Sequence, residues 1–262
     1  MTLHPWLPAA LFALVAWSGQ RLLSKLALAE LGTRKFYLLS AVVSLLSYAP
    51  YLIARPPSKG ELLPAFGLAC LMAITFGVTT EAIRRGPLGA VSPITALSPA
   101  LTAGMGILLL HEKLALWSYA GIALAPAGIA LLSAGGRSES KSGGWLWLAV
   151  ASLTLQGVGA FIAKLVVTPA GPSALLLMSA AVQVVVGLAL APPWAWSAGD
   201  LRGRAALFTI VAYAIAAVAT IGYLLALASG PASVVVPLVA DDAFGADVAA
   251  GVDESELQRW SR

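Results

Sequence analysis

Charge is scarce in this chain. Of its 262 residues only 11% are Asp, Glu, Lys or Arg, against about a quarter in an average soluble domain. Hydrophobic residues make up 59%, and the mean hydropathy is +0.87. No single core absorbs such an excess, which excludes a soluble enzyme, a nucleic-acid-binding module and a disordered chain. Cysteine is nearly absent: Cys70 stands alone, so neither an intrachain disulfide nor a multi-cysteine metal site is available. His4 and His111 are isolated, and no metal site is expected. A Walker motif, a Gly-x-Ser-x-Gly elbow and a His-Glu-x-x-His pair are all missing, so no ATP drive, no enzymatic reaction and no cofactor are expected. Met1–His4 carries no Lys or Arg, and the first apolar run therefore reads as a retained span rather than a signal peptide.

What the chain does have is long apolar runs. A helix crossing about 30 Å of hydrocarbon needs about 20 residues. Eight runs qualify: Pro8–Ala29, Phe36–Ala54, Leu62–Ile83, Leu88–Leu110, Ala115–Ala134, Trp145–Val167, Pro172–Ala191 and Ala205–Ala228. Short polar breaks separate them, and a Gly/Ser-rich loop at 135–144 divides the chain near its middle. Trp6, Trp117, Trp145, Trp147, Trp194 and Trp196 fall at run ends, where tryptophan meets the headgroups. The fold class is thus all-α, a polytopic membrane helix bundle. The basic residues lie between the runs, so the pI near 9.4 belongs to membrane loops and no nucleic-acid partner is expected. Loops after odd-numbered runs hold Arg34, Lys35, Arg84, Arg85, Arg137, Lys141, Arg202 and Arg204; loops after even-numbered runs hold Arg55, Lys59 and Lys113. The positive-inside rule then places the N-terminus outside.

The chain also matches itself. Gly86-Pro87-Leu88-Gly89-Ala90-Val91-Ser92-Pro93-Ile94 pairs with Gly230-Pro231-Ala232-Ser233-Val234-Val235-Val236-Pro237-Leu238, four of nine positions being identical at an offset of 144. Trp17–Lys25 pairs with Gln156–Lys164 at an offset of 139, each copy ending in lysine. Five runs in the first unit make an odd number, so a second copy inserts upside down. Inverted repeats of this kind suit alternating access around a midplane site.

These features resemble the drug/metabolite transporter superfamily, EamA type, with ten spans in two five-span repeats. The resemblance is carried by Trp17 through Ser24-Lys25, Gly86-Pro87 through Pro93, Ser98-Pro99-Ala100-Leu101-Thr102, His111-Glu112-Lys113-Leu114, Gly121 through Gly128, and Gly230 through Leu238. It covers residues 8 to about 239 of the sequence. It implies a secondary transporter in the cell's inner (plasma) membrane, exporting small metabolites or drugs by alternating access. A lipid-carrier or sugar-lipid flippase of the same superfamily and a non-transporting, truncated membrane protein stay open as alternatives. Small-molecule substrate and membrane lipid are the expected partners, and homodimerisation stays open. Small multidrug pumps of the superfamily use a carboxylate in their first span. Pro8–Ala29 has none, so that exchange mechanism does not carry over.

The chain departs from the pattern at its end. By the repeat, apolar sequence should continue to about residue 277, yet it stops at Ala240. Asp241, Asp242, Asp247, Asp253, Glu254 and Glu256 follow, half of all 12 acidic residues. Carboxylates cost about 2.5–3.5 kcal/mol each at a helix centre, so this tail is not a span. The expected organisation is a first repeat at 1–134, a linker at 135–144, a truncated second repeat at 145–240 with a stub of span nine, and an acidic, frameshifted tail at 241–262. That makes eight to nine spans of an expected ten.

Polar groups inside spans are functional candidates. Trp17, Gln20, Arg21, Gln156 and Tyr223 are candidates for lining a substrate cavity, with helix packing as the alternative. Lys25 and Lys164 either line a pathway or snorkel to the interface. Pro93 and Pro237 are candidates for bending helices at the pathway. Glu81 stands three and four residues before Arg84 and Arg85, the spacing of an ion pair on one helix. Gly121, Gly128 and Gly135 recur every seven residues and suggest a packing seam.

Overall fold

The computed structural model describes residues 5–85, 91, 94–112, 124, 144–192, 194, 196–197 and 203–239. The side chains of Arg21, Lys25 and Arg84 lie outside the described residues. So do Pro93, the fifth run apart from Leu124, its glycine seam, most of the 135–144 linker and the acidic tail. Among the described residues every regular element is helical. We number them α1 (Trp6–Leu31), α2 (Thr33–Ala54), α3 (Lys59–Arg85), α4 (Ser98–Leu109), α5 (Gly144–Ala170), α6 (Ser173–Leu190), α7 (Arg204–Ser229) and α8 (Ala232–Val239).

Five stretches are long and apolar enough to cross a membrane: Arg34–Ala54, Lys59–Thr79, Gly144–Pro169, Ser173–Leu190 and Arg204–Ser229. Their outer faces carry large apolar side chains that stand exposed among the described residues. Ile53 is 81% exposed and Leu63 78% exposed, an arrangement that favours lipid over water by about 25 cal/mol per Å². Hydroxyls inside the helices turn back on their own backbone. Ser18 donates to Leu14, Thr75 to Leu71, Thr209 to Ala205 and Thr220 to Ala216, all at i−4. Hydrocarbon supplies no other partner for such groups. The chain is a multi-pass membrane protein.

Helix ends follow the sequence closely. α1 and α2 join through Gly32, and α5 and α6 through Gly171 and Pro172, with φ +74° at both glycines. That left-handed conformation is open to glycine at little cost. The fourth run differs from a continuous span. Thr95 is helical, Ala96 and Leu97 form a turn, and α4 starts afresh at Ser98 with Pro99 in its first turn. Proline lacks the amide that a helix interior needs but fits a helix start.

The packing has an exchange pattern. Replacing α1 with α5, α2 with α6 and α3 with α7 turns the α1–α7 contact into the α3–α5 contact, and α2–α7 into α3–α6; α2–α6 maps onto itself. All five contacts are present, and the α4–α5 and α1–α8 contacts correspond in the same way. Small residues bring the helices close. A Cβ on Gly187 would stand 3.0 Å from the Leu38 Cα, and one on Gly157 would stand 2.9 Å from the Ser98 carbonyl oxygen.

Candidate functional site

A cavity of about 520 Å³ lies between the helices, and each of the eight contributes to its wall. Trp17 and Gln20 come from α1, Gln156 from α5 and Tyr223 from α7, so four of the five residues singled out as cavity candidates share one chamber. The side chain of the fifth, Arg21, lies outside the described residues. Sequence reasoning did not name as cavity candidates Ser44 and Tyr48 of α2, Ser98 and Thr102 of α4, Gln183 of α6, or Tyr213 and Thr220 of α7, which line the same space. Their signal was a polar group inside an apolar run, spread over too many serines and threonines to separate cavity from packing.

The wall has two chemistries. On one side the Trp17 and Tyr223 rings lie with centroids 5.2 Å apart, tilted at 47°. On the other, the Gln156 amide donates to Ser152 Oγ (2.9 Å) and Thr79 Oγ1 (3.4 Å) and accepts from Ser98 Oγ (3.5 Å). Thr79 and Ser152 share a further hydrogen bond of 2.5 Å, and the Thr102 hydroxyl donates to the Gly157 carbonyl at 2.9 Å. The cluster joins α3, α4 and α5 beside the turn at Ala96-Leu97. Interrupted helices of this kind border binding sites in transport folds.

Two charged groups hold the corner between α7 and α8. Lys164 Nζ donates to the carbonyls of Leu227 and Gly230, both at 2.7 Å. The lysine thus caps the C-terminal end of a neighbouring helix, where positive charge is favoured, a role outside both of its sequence readings. Glu112, from the turn after α4, accepts from the Ala232 amide (2.8 Å), the Ser233 amide (2.9 Å) and the Ser233 hydroxyl. A carboxylate there satisfies first-turn amides that no helix bond reaches. His111, at φ +52°, turns the chain so that the Glu112 amide returns to the Gly106 carbonyl at 3.3 Å.

The remaining candidates lie elsewhere. Arg85 Nε and Glu81 Oε1 form an i,i+4 pair at 2.5 Å, both side chains being partly exposed and outside the cavity lining. Pro237 sits inside α8, half-buried; having no amide, it leaves the Ser233 carbonyl without a helical bond. Among the described residues no group of three or more His, Cys, Asp or Glu is placed to hold a metal.

The comparisons with known proteins give one family. Residues 4–134, half of the 262-residue chain, match the model of the EamA-like transporter family. No curated protein matches significantly.

Proposed function

The chain belongs to the EamA-like transporter family and is a membrane transporter, and from that premise we propose that it moves a small metabolite or drug outward across the plasma (inner) membrane by alternating access. The observation that carries this reading is the cavity itself. It collects amide, hydroxyl and aromatic groups at the meeting point of all eight described helices. Polar groups are costly inside a membrane protein unless a path or a partner uses them. The exchange pattern of the contacts, and the matching glycine corners at Gly32 and Gly171, support two equivalent halves around that cavity. Two such halves can trade roles, each opening the chamber to one side.

The test uses the full chain with Cys70 replaced by alanine and a single cysteine placed in the cavity by Ser179→Cys. Membrane-impermeant thiol reagents are applied to right-side-out and inside-out vesicles. Labelling from both sides is expected, each side suppressed when the other is locked open. Labelling from one side alone under every condition would overturn alternating access. Movement of a lipid-linked reporter in place of soluble solutes would replace export by a flippase activity.

A further inference from the structure

The two chemistries of the cavity wall occupy equivalent places. The offset of 139 that relates α1 to α5 carries Trp17 onto Gln156, and the offset of 144 that relates α3 to α7 carries Thr79 onto Tyr223. The ring contact Trp17–Tyr223 and the hydrogen bond Gln156–Thr79 are therefore the same helix–helix contact made twice. One copy has become aromatic and the other has become an amide with a hydroxyl. A chamber with equivalent halves thus presents unlike ends to whatever lies inside it.

From this we infer that the cavity takes a flat, ring-bearing solute whose other end is an uncharged hydrogen-bonding group such as a carboxamide, the ring lying against Trp17 and Tyr223 and the polar end against Gln156 and Ser98. The inference rests on the cavity being the solute site. Aromatic pairs favour a third ring at offset or edge geometry. The polar end is built to exchange partners. Gln156 holds its amide in place through the 2.9 Å bond to Ser152, while its contacts to Thr79 and Ser98, at 3.4 and 3.5 Å, are long enough to yield to a better-placed group. A solute without a polar end would gain nothing there. Among the described lining residues no side chain is charged, so an anionic end would meet neutral dipoles, which compensate burial of a charge poorly. The volume of about 520 Å³ suits a molecule of this size.

The test is binding to the full chain in detergent, read by calorimetry with four probes: 3-phenylpropanamide, hexanamide (no ring), propylbenzene (no amide) and 3-phenylpropanoate (charged). The first is expected to bind about tenfold more tightly than each of the others. Trp17→Leu should erase its advantage over hexanamide, and Trp17→Phe should keep it. Gln156→Leu should erase its advantage over propylbenzene. Thermal unfolding of each variant checks that the fold is kept, and the phenylalanine variant carries the test should the leucine variant fail to fold. Equal binding of all four probes, tighter binding of the carboxylate, or no binding of the amide would each overturn the inference. If two-sided labelling of the Ser179→Cys chain persists in those cases, the transport reading survives. If that labelling is also lost, both fall.

Discussion

Glu112 and Ser233 are 121 residues apart in the chain and bound to each other in the fold. The carboxylate accepts the Ser233 amide at 2.9 Å together with the Ser233 hydroxyl, and the neighbouring Ala232 amide at 2.8 Å. The turn after α4 is thereby tied to the start of α8. Gly106 makes room for the tie, since a Cβ there would stand 2.8 Å from Glu112 Oε2. The contact joins the end of α4 to the beginning of α8.

Replacing Glu112 with alanine strands two first-turn amides of α8. An unsatisfied buried donor costs about 1–3 kcal/mol, and Glu112→Ala should lower the stability of the detergent-solubilised chain by about that amount. Glu112→Gln keeps one acceptor and should lose less. Thermal unfolding of the two variants side by side measures the difference, and equal stability of all three chains would contradict the capping role.

Lys164→Met removes the charge that sits on the Leu227 and Gly230 carbonyls while keeping most of the apolar stem. We expect a loss of about 1.5–3 kcal/mol, the range for hydrogen bonds to charged groups. Lys164→Arg should recover part of it. Limited proteolysis between α7 and α8 reads the local effect, with faster cleavage expected in the methionine variant.

Gly157 lies where α4 crosses α5. A Cβ there would come 2.8 Å from Leu101 Cδ2 and 2.9 Å from the Ser98 carbonyl oxygen. Gly157→Val must push the two helices apart and stretch the Thr102–Gly157 bond. Overpacking of this kind costs about 1–3 kcal/mol, and a lowered melting temperature should follow. Gly67 has open space around its position, so Gly67→Ala is the matched control, and it should leave the melting temperature unchanged or slightly raised.

The ion pair of Glu81 and Arg85 is a contrasting case. Its side chains are 31% and 51% exposed and share one helix. Exposed i,i+4 pairs contribute about 0.3–0.5 kcal/mol. Glu81→Gln should therefore change unfolding by less than the Glu112 variants do, and a larger effect would show that Glu81 does more than pair with its neighbour.

Much of the helical plan was legible in the residues. The run Pro8–Ala29 became Trp6–Leu31, and Ala205–Ala228 became Arg204–Ser229. Apolar length and polar breaks mark a span whatever surrounds it. The break at Ala96-Leu97 was not legible, because the fourth run stays apolar across it and Pro99 marks a helix start only once the chain on both sides is placed. Trp17, Gln20, Gln156 and Tyr223 were singled out one by one, yet nothing in their spacing indicated that Tyr223 would meet Trp17 or that Gln156 would meet Thr79. Glu112 was noticed within His111-Glu112-Lys113-Leu114, but its partner lies 121 residues away.

The sequence by itself determined that this chain lives in lipid, where most of its described helices begin and end, and that its two halves share a pattern. Each of those properties follows from local chemistry, because hydrocarbon demands long apolar helices and places its rare polar groups under strict terms. Tertiary structure alone decided which polar groups meet: rings on one wall, an amide and hydroxyls on the other, and Glu112 and Lys164 on the ends of foreign helices. Those meetings depend on how helices from distant parts of the chain cross, and crossing geometry is set by the packing of whole faces, which no single stretch of residues encodes.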